Sequence, residues 1–330
     1  MPNSPAETAS EAAHRQTRYE SAPAFDGPQT LPMPALTPDL EQARADLREY
    51  GMCLLSDGIP TDVLAGLREK LDAQAEAERG LGEQSPLSAR GAKQHMSNMV
   101  NKGKAFLDLV ERPETDALAG YLLGKNFLIS SITGGLFHGP TDDVQPLHRD
   151  QGQVPATVDF PATCNVFWLL DDFAPEGGST HVVPGSHRWP AAHQIRPPER
   201  DQSVQITAPA GTIFAWDGRL WHGAGANPGG ASRRHINTYY CLPWMRQQEN
   251  WGVTCLQEVL DEATPKLRAR LGLRTYGTLG MMSGTPTREG GSATFGNADV
   301  VIPDHIIGEG GTLHPVRRVR RSDIEAPTGD

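Results

Sequence analysis

The chain predicts a mainly β core with flanking helices, of the sandwich or jelly-roll kind. Three observations carry this. Between residues 127 and 244, short runs of β-branched and aromatic residues alternate with turns bearing Gly and Pro. No helical periodicity interrupts them, which argues against a parallel α/β sheet. The helical patterns lie before and after this stretch instead.

In chain order, residues 1–36 are rich in Pro, Ser, Ala and Thr and read as a disordered tail. Thr37-Pro38 supplies an N-cap with proline at the first helical position, and order is expected to begin there. Leu40, Ala43, Leu47 and Tyr50 then recur at helical spacing, and Gly51 stops the helix before an apolar strand over 52–55. A second helix opens at Thr61 with Leu64, Leu67 and Leu71 on one stripe. The polar stretch 76–93 after it reads as a loop near the site. Helical turns at 106–110 and 117–123 lead into a long strand over 127–133. Further strands are expected at 164–170, 181–183, 203–206, 212–215 and 235–242, with turns at Gly177-Gly178 and Pro184-Gly185. A helical pair follows, with Val259-Leu260 and then Leu267 and Leu271, closed by Gly272. The expected organisation is a tail over 1–36, a domain over 37–284 whose metal-site core is 126–244, and a Gly-rich extension over 285–330.

Composition narrows the partners. The net charge of −10 over 330 residues argues against a sequence-independent grip on nucleic acid. No apolar run approaches the roughly 18 residues that suggest a membrane helix. The first thirty residues lack a basic start and an apolar core, so a cytoplasmic protein is expected. Cys53, Cys164, Cys241 and Cys255 show no C-x-x-C spacing and read as free thiols. Arg317, Arg318, Arg320 and Arg321 form a basic knot that reads as a solvated tail.

The chemistry lies in His148-Arg149-Asp150, with His222 and Arg233 further on. Residues two apart on a strand share a face, so His148 and Asp150 can reach one metal ion. His222 would complete a set of two imidazoles and one carboxylate. Ligands on one side of an octahedron leave open positions opposite, which suits non-haem Fe(II) that must also bind a cosubstrate and O2. An arginine beyond would clamp a carboxylate. Alone, H-x-D is a common accident in a chain with 11 histidines and 40 acidic residues.

Context makes it specific. Gln145-Pro-Leu-His-Arg-Asp-Gln151, Asn165-Val-Phe-Trp-Leu-Leu-Asp-Asp172, Gly177-Gly-Ser-Thr-His-Val-Val-Pro-Gly-Ser-His187 and Trp216-Asp-Gly-Arg-Leu-Trp-His222 with Arg233 resemble the phytanoyl-CoA dioxygenase family of Fe(II)/2-oxoglutarate oxygenases. Looser similarity runs from Thr37 to about Gly280. The resemblance implies a double-stranded β-helix, a jelly roll of the cupin-like kind. It further implies iron on His148, Asp150 and His222, 2-oxoglutarate and O2 as cosubstrates, and ascorbate as a supporting reductant. Arg233 would neutralise the distal carboxylate of 2-oxoglutarate, with adjacent Arg234 as the alternative if the strand phase is reversed. Gln145, Asn165 and Trp168 are the further cosubstrate-pocket candidates. The retained carboxylate at Asp150 favours hydroxylation or a related oxidation over halogenation, which needs a small residue there. The partner implied is a small-molecule substrate of secondary metabolism, with no nucleic acid and no membrane. Two alternatives are a jelly-roll metalloenzyme that does not use 2-oxoglutarate and a non-catalytic binding protein on the same barrel.

Overall fold

The computed structural model describes residues 19, 21–81, 92–137, 139–274, 276, 278–280, 305–307 and 313–315. The chain divides into a unit spanning Tyr19–Glu249 and a second unit that includes the residues from Asn250 onward.

In the first unit, helix α1 (Leu40–Tyr50) precedes strand β1 (Met52–Leu55), and α2 (Thr61–Gly80) precedes β2 (Lys93–Met96). Helices α3 (Lys104–Glu111) and α4 (Pro113–Leu123) follow. The remaining strands are β3 (Leu128–Phe137), β4 (Thr163–Leu169), β5 (Thr180–Val182), β6 (Val204–Gln205), β7 (Ile213–Asp217), β8 (His222–Ala224) and β9 (Arg233–Cys241).

Six strands make one antiparallel sheet in the order β1-β7-β4-β9-β3-β2, and β6-β5-β8 make a second. The segment before His148 extends the second sheet. Its backbone bridges Thr141 to Asn227, just beyond β8, and His148 to His222 of β8. The two sheets share a core in which Met52, Leu54, Phe214 and Trp216 meet Val182 and Ile206. This is the expected jelly-roll arrangement, the double-stranded β-helix.

Alternation along the strands places the cavity. On β4, Asn165 and Phe167 face inward, while Cys164, Val166 and Trp168 are fully buried on the opposite face. A bulge on β3 between Ile129 and Ser131 resets the phase, so that Ser131 and Thr133 face inward too. The freed groups of Ser130 hold the segment after Trp244: its Oγ accepts from Gln248 N and its carbonyl from Glu249 N.

Several expectations are corrected. Residues 21–36 are not a disordered tail but lie extended along the unit. Phe25 N donates to Arg188 O, Leu31 N to Pro184 O and Trp189 Nε1 to Gln29 O, while the Arg188 guanidinium stacks 4.0 Å from the Phe25 ring centre. A polar composition conceals these apolar anchors. The N-cap of α1 is Asp39 rather than Thr37. Its carboxylate accepts from Glu41 N, and Thr37 Oγ1 accepts from Asp39 N one step earlier. The stretch 76–93 is not all loop, because α2 continues through Gly80 and Lys93 begins β2; residues 82–91 lie outside the described residues.

In the second unit, α5 (Trp251–Thr254), α6 (Gln257–Glu262) and α7 (Pro265–Arg270) match the expected helical pair with one extra turn before it. Thr264 caps α7, Pro265 opens it, and Gly272 at φ +80° ends it. Strands β10 (His305–Ile307) and β11 (Leu313–Pro315) pair as an antiparallel hairpin inside the Gly-rich extension. The basic knot at 317–321 lies outside the described residues. Among the described residues, no helix is long and apolar enough to cross a membrane.

Candidate metal centre and cosubstrate pocket

His148, Asp150 and His222 come together, each offering one ligand atom within 4.8 Å of the others. The reason differs from the expected one. His148 and Asp150 do not sit on a regular strand: His148 makes an isolated bridge and Asp150 begins a turn. His148 and His222 are opposed instead, exchanging both backbone hydrogen bonds at 2.8 and 3.0 Å, with their rings 4.4 Å apart. The turn then brings Asp150 back between them. Its Oδ1 lies 3.5 Å from His148 Nε2 and its Oδ2 3.3 Å from His222 Nε2.

Both imidazoles are oriented from behind. His148 Nδ1 lies 3.0 Å from Pro146 O and His222 Nδ1 3.0 Å from Leu220 O. A carbonyl can only accept, so each Nδ1 carries the proton and each Nε2 lone pair turns to the shared point. Asp150 is equally braced: its Oδ2 accepts from Asn165 Nδ2 at 2.6 Å and Trp216 Nε1 at 3.2 Å, and its backbone carbonyl from Tyr239 OH at 3.0 Å. Burial opposes the Asp150 charge, but the neighbouring His222 and His148 outweigh it and hold the pKa below the ordinary carboxylate value. Burial lowers His222, whereas in His148 the bond and charge of Asp150 overcome burial and raise it. Two neutral-capable imidazoles and one anionic carboxylate, aimed at one point, fit a divalent first-row metal.

The cluster opens on a cavity of about 640 Å³ whose lining includes both sheets. Arg233 lies in this lining and is 3% exposed. Its Nη1 donates to Gly178 O, its guanidinium carbon lies 4.3 Å from the Phe137 ring centre and 4.9 Å from that of Phe173, and its Nε has no partner. Gly178, at φ +72°, has no room for a side chain, which would strike Ala226 O. Among the described residues no carboxylate pairs with Arg233, and burial pulls its pKa down to about 9. A buried cation without a counter-ion is costly, and a bound carboxylate would relieve it.

Arg234 faces the opposite way. It is clamped by Asp72 at 2.7 and 3.0 Å and by Asp171 at 2.8 Å. Gln145 lies at the cavity wall, its Oε1 accepting from Ala224 N at 3.1 Å. Asn165 is also in the lining, where its amide goes to Asp150. Trp168 is not. It is fully buried behind the sheet with Nε1 on Thr238 Oγ1, because a residue three positions after Asn165 on a strand must face the other side. Sequence reasoning passed over Trp216, Phe167, His235, Tyr239, Lys93 and His95, all of which line the cavity. His235 and Tyr239 share parity with Arg233 on β9, a signal that was available. Lys93 and His95 lay hidden at the end of a stretch read as loop.

The family model for phytanoyl-CoA dioxygenase (PhyH) matches residues 47–235. The dioxygenase af480 of Aspergillus fumigatus is 30% identical over 73% of this chain and 80% of its own. The iron/alpha-ketoglutarate-dependent dioxygenase penM of Penicillium thymicola is 24% identical over 74% of this chain and 81% of its own. The crystal structure of AviO1 from Streptomyces viridochromogenes shares the fold, with a TM-score of 0.51 at 24% identity over 62% of this chain and 96% of that one. The chain belongs to the phytanoyl-CoA dioxygenase family of iron(II)- and 2-oxoglutarate-dependent oxygenases.

Proposed function

We propose that this oxygenase hydroxylates, or otherwise oxidises, an unactivated C–H bond of a small-molecule substrate, coupled to decarboxylation of 2-oxoglutarate to succinate and CO2. The observation that carries the reading is a cluster of three metal-ligating side chains sharing one cavity with a buried arginine that has no counter-ion among the described residues. In this reading His148, Asp150 and His222 hold the iron, and Arg233 receives the distal carboxylate of 2-oxoglutarate. Bound iron supplies O2 activation and the oxidising power for C–H cleavage.

The protein's contribution is positional. The carbonyls of Pro146 and Leu220 fix both histidine tautomers, and Asn165 and Trp216 fix Asp150, so the ligand set needs little reorganisation when metal enters. Arg233 anchors one end of the cosubstrate so that its oxo-acid end meets the cluster. Phe167, Trp216 and Phe137 line the cavity and limit water near the reacting atoms. Arg233 also favours this reading over a jelly-roll metalloenzyme without 2-oxoglutarate, in which a buried, unpaired guanidinium has no purpose.

Purified protein given Fe(II), ascorbate and 2-oxoglutarate under air should form succinate slowly without prime substrate and faster with it. Absence of succinate, together with absence of 2-oxoglutarate binding under nitrogen, rules the reading out.

A further inference from the structure

The cavity floor changes character along its length. Strands β3 and β9 oppose Phe137 to Arg233, Gly135 to His235, Thr133 to Asn237 and Ser131 to Tyr239. The first two pairs, with Lys93 and His95 of β2 alongside, form a basic end. The last two form a neutral strip of two hydroxyls, an amide and a phenol. Lys93 and Arg233 are the only lysine and arginine in the lining among the described residues, and both belong to the basic end. The sole carboxylate in the lining other than Asp150 is Asp143.

The neutral strip is built rather than incidental. The β3 bulge recruits Gln248 to the lining, and Ser131 Oγ donates to Gln248 Oε1 at 2.8 Å. That fixes the amide of Gln248 and leaves its Nε2 donors without a partner among the described residues. Across the strip, Asn237 Oδ1 is buried with no partner. A buried acceptor left unpaired is destabilising, so a site of this kind is completed by a ligand that donates to it. Beside the strip stands an aromatic wall. Phe167 packs against Trp216 with ring centres 4.7 Å apart, and Trp216 lies 5.0 Å from His222.

Resting on the function proposed above, we infer that the prime substrate is an uncharged, ring-bearing molecule. It sets an apolar face on Phe167 and Trp216 and turns uncharged polar groups, at least one of them a hydrogen-bond donor such as a hydroxyl, to Asn237 and Gln248. The donor requirement follows from Asn237 Oδ1, which only an O–H or N–H can satisfy. Among the described residues a substrate carboxylate or phosphate finds no lysine or arginine in the lining at this end, since Arg233 and Lys93 stand at the end assigned to the cosubstrate's distal carboxylate. The cavity lies within the range of about 300–1,000 Å³ that encloses drug-sized ligands, which suits a compact skeleton better than a long thioester.

The test uses the full chain loaded with Fe(II) and 2-oxoglutarate under nitrogen, read by the visible charge-transfer band of the chelate. Probes are neutral hydroxylated steroids and triterpenes, hydrocortisone among them, each paired with its hemisuccinate ester, with palmitoyl-CoA as a third arm. At least one neutral probe should shift the band, with its ester at least ten-fold weaker and palmitoyl-CoA inactive. Asn237→Leu combined with Gln248→Leu should weaken the neutral probe at least ten-fold while the chelate band still forms. Tighter response to the esters or to palmitoyl-CoA overturns the inference, as does silence from every neutral probe or unchanged binding in the double variant. A chelate band that no neutral probe perturbs refutes the substrate class alone. Failure of the band to form removes the 2-oxoglutarate reading and this inference with it.

Discussion

At the scale of single residues, the site depends on which neighbours are spent on structure. Arg233 and Arg234 have the same chemistry and adjacent positions, yet one faces the cavity with no carboxylate partner among the described residues and the other is held by two carboxylates. Arg233→Gln should therefore raise the dissociation constant for 2-oxoglutarate by at least 30-fold, in line with about 2–5 kcal/mol for truncating one partner of a buried charge pair. Metal loading should persist, and Arg234→Gln should leave cosubstrate affinity within a few-fold, both read by anaerobic titration. Asn165 makes a second case. Its bond to Asp150 Oδ2 braces a ligand, and Asn165→Leu should lower metal affinity about 10–100-fold, the usual effect of removing such a support, as measured by competition with a chelator. The sequence singled out His148, Asp150, His222 and Arg233, which the structure brings to one cavity, because their residue types are chemically restrictive. It misplaced Trp168, whose indole is equally at home in a core or a pocket, and only strand parity separates the two.

At the scale of elements, β3 is where close packing matters most. Gly135 lies against the His235 ring: a Cβ built there would stand 2.1 Å from His235 Cε1, and the ring is stacked at 4.5 Å on Phe167 behind it. Held between β3 and Phe167, the imidazole can yield only toward the cavity it lines. Gly135→Ala should cost about 1–3 kcal/mol, the range for overpacking a filled core, and should appear as a lower urea midpoint. The strands themselves were legible from β-branched runs and turn residues. The bulge at Ser130 was not, because an extra residue in a strand leaves no mark on composition and shows only once its partner strand is known. Nor was β2, whose four residues include Lys93, Gln94 and His95 and carry no apolar alternation.

At the scale of the whole molecule, the expectation that order begins at residue 37 failed for a physical reason: a polar segment can still be anchored by a few ring and backbone contacts to a preformed surface. Near that anchored segment lies His187, fully buried, its Nε2 3.1 Å from Arg48 O. Burial drives its pKa from 6.5 down to about 4. The unfolded chain then takes up a proton at its His187 position that the folded chain refuses, so stability should fall as pH drops from about 6.5 to 4 and be flat in this respect above 6.5. His95, whose pKa burial also brings to about 4, adds to the same slope. Below that window Asp217 takes over. Burial raises its pKa, but the paired Arg219 overrides this and holds it low, so its stabilising contribution is lost as acid protonates it. Urea midpoints measured from pH 8 to 4 should trace this decline, and His187→Phe should flatten it.

The two carboxylates on Arg234 also bear on how β9 finds its place. A slip of one residue would turn every side chain of that strand to the other face, carrying Arg234 into the cavity and leaving Asp72 and Asp171 facing an alternate neighbour. Because Asp72 rides on α2 and Asp171 follows β4, a slip that brings His235 to that place would leave two acids from separate elements without their guanidinium. Arg234 thus serves as an alignment key against that slip, and under the proposed function it keeps Arg233 on the cavity side.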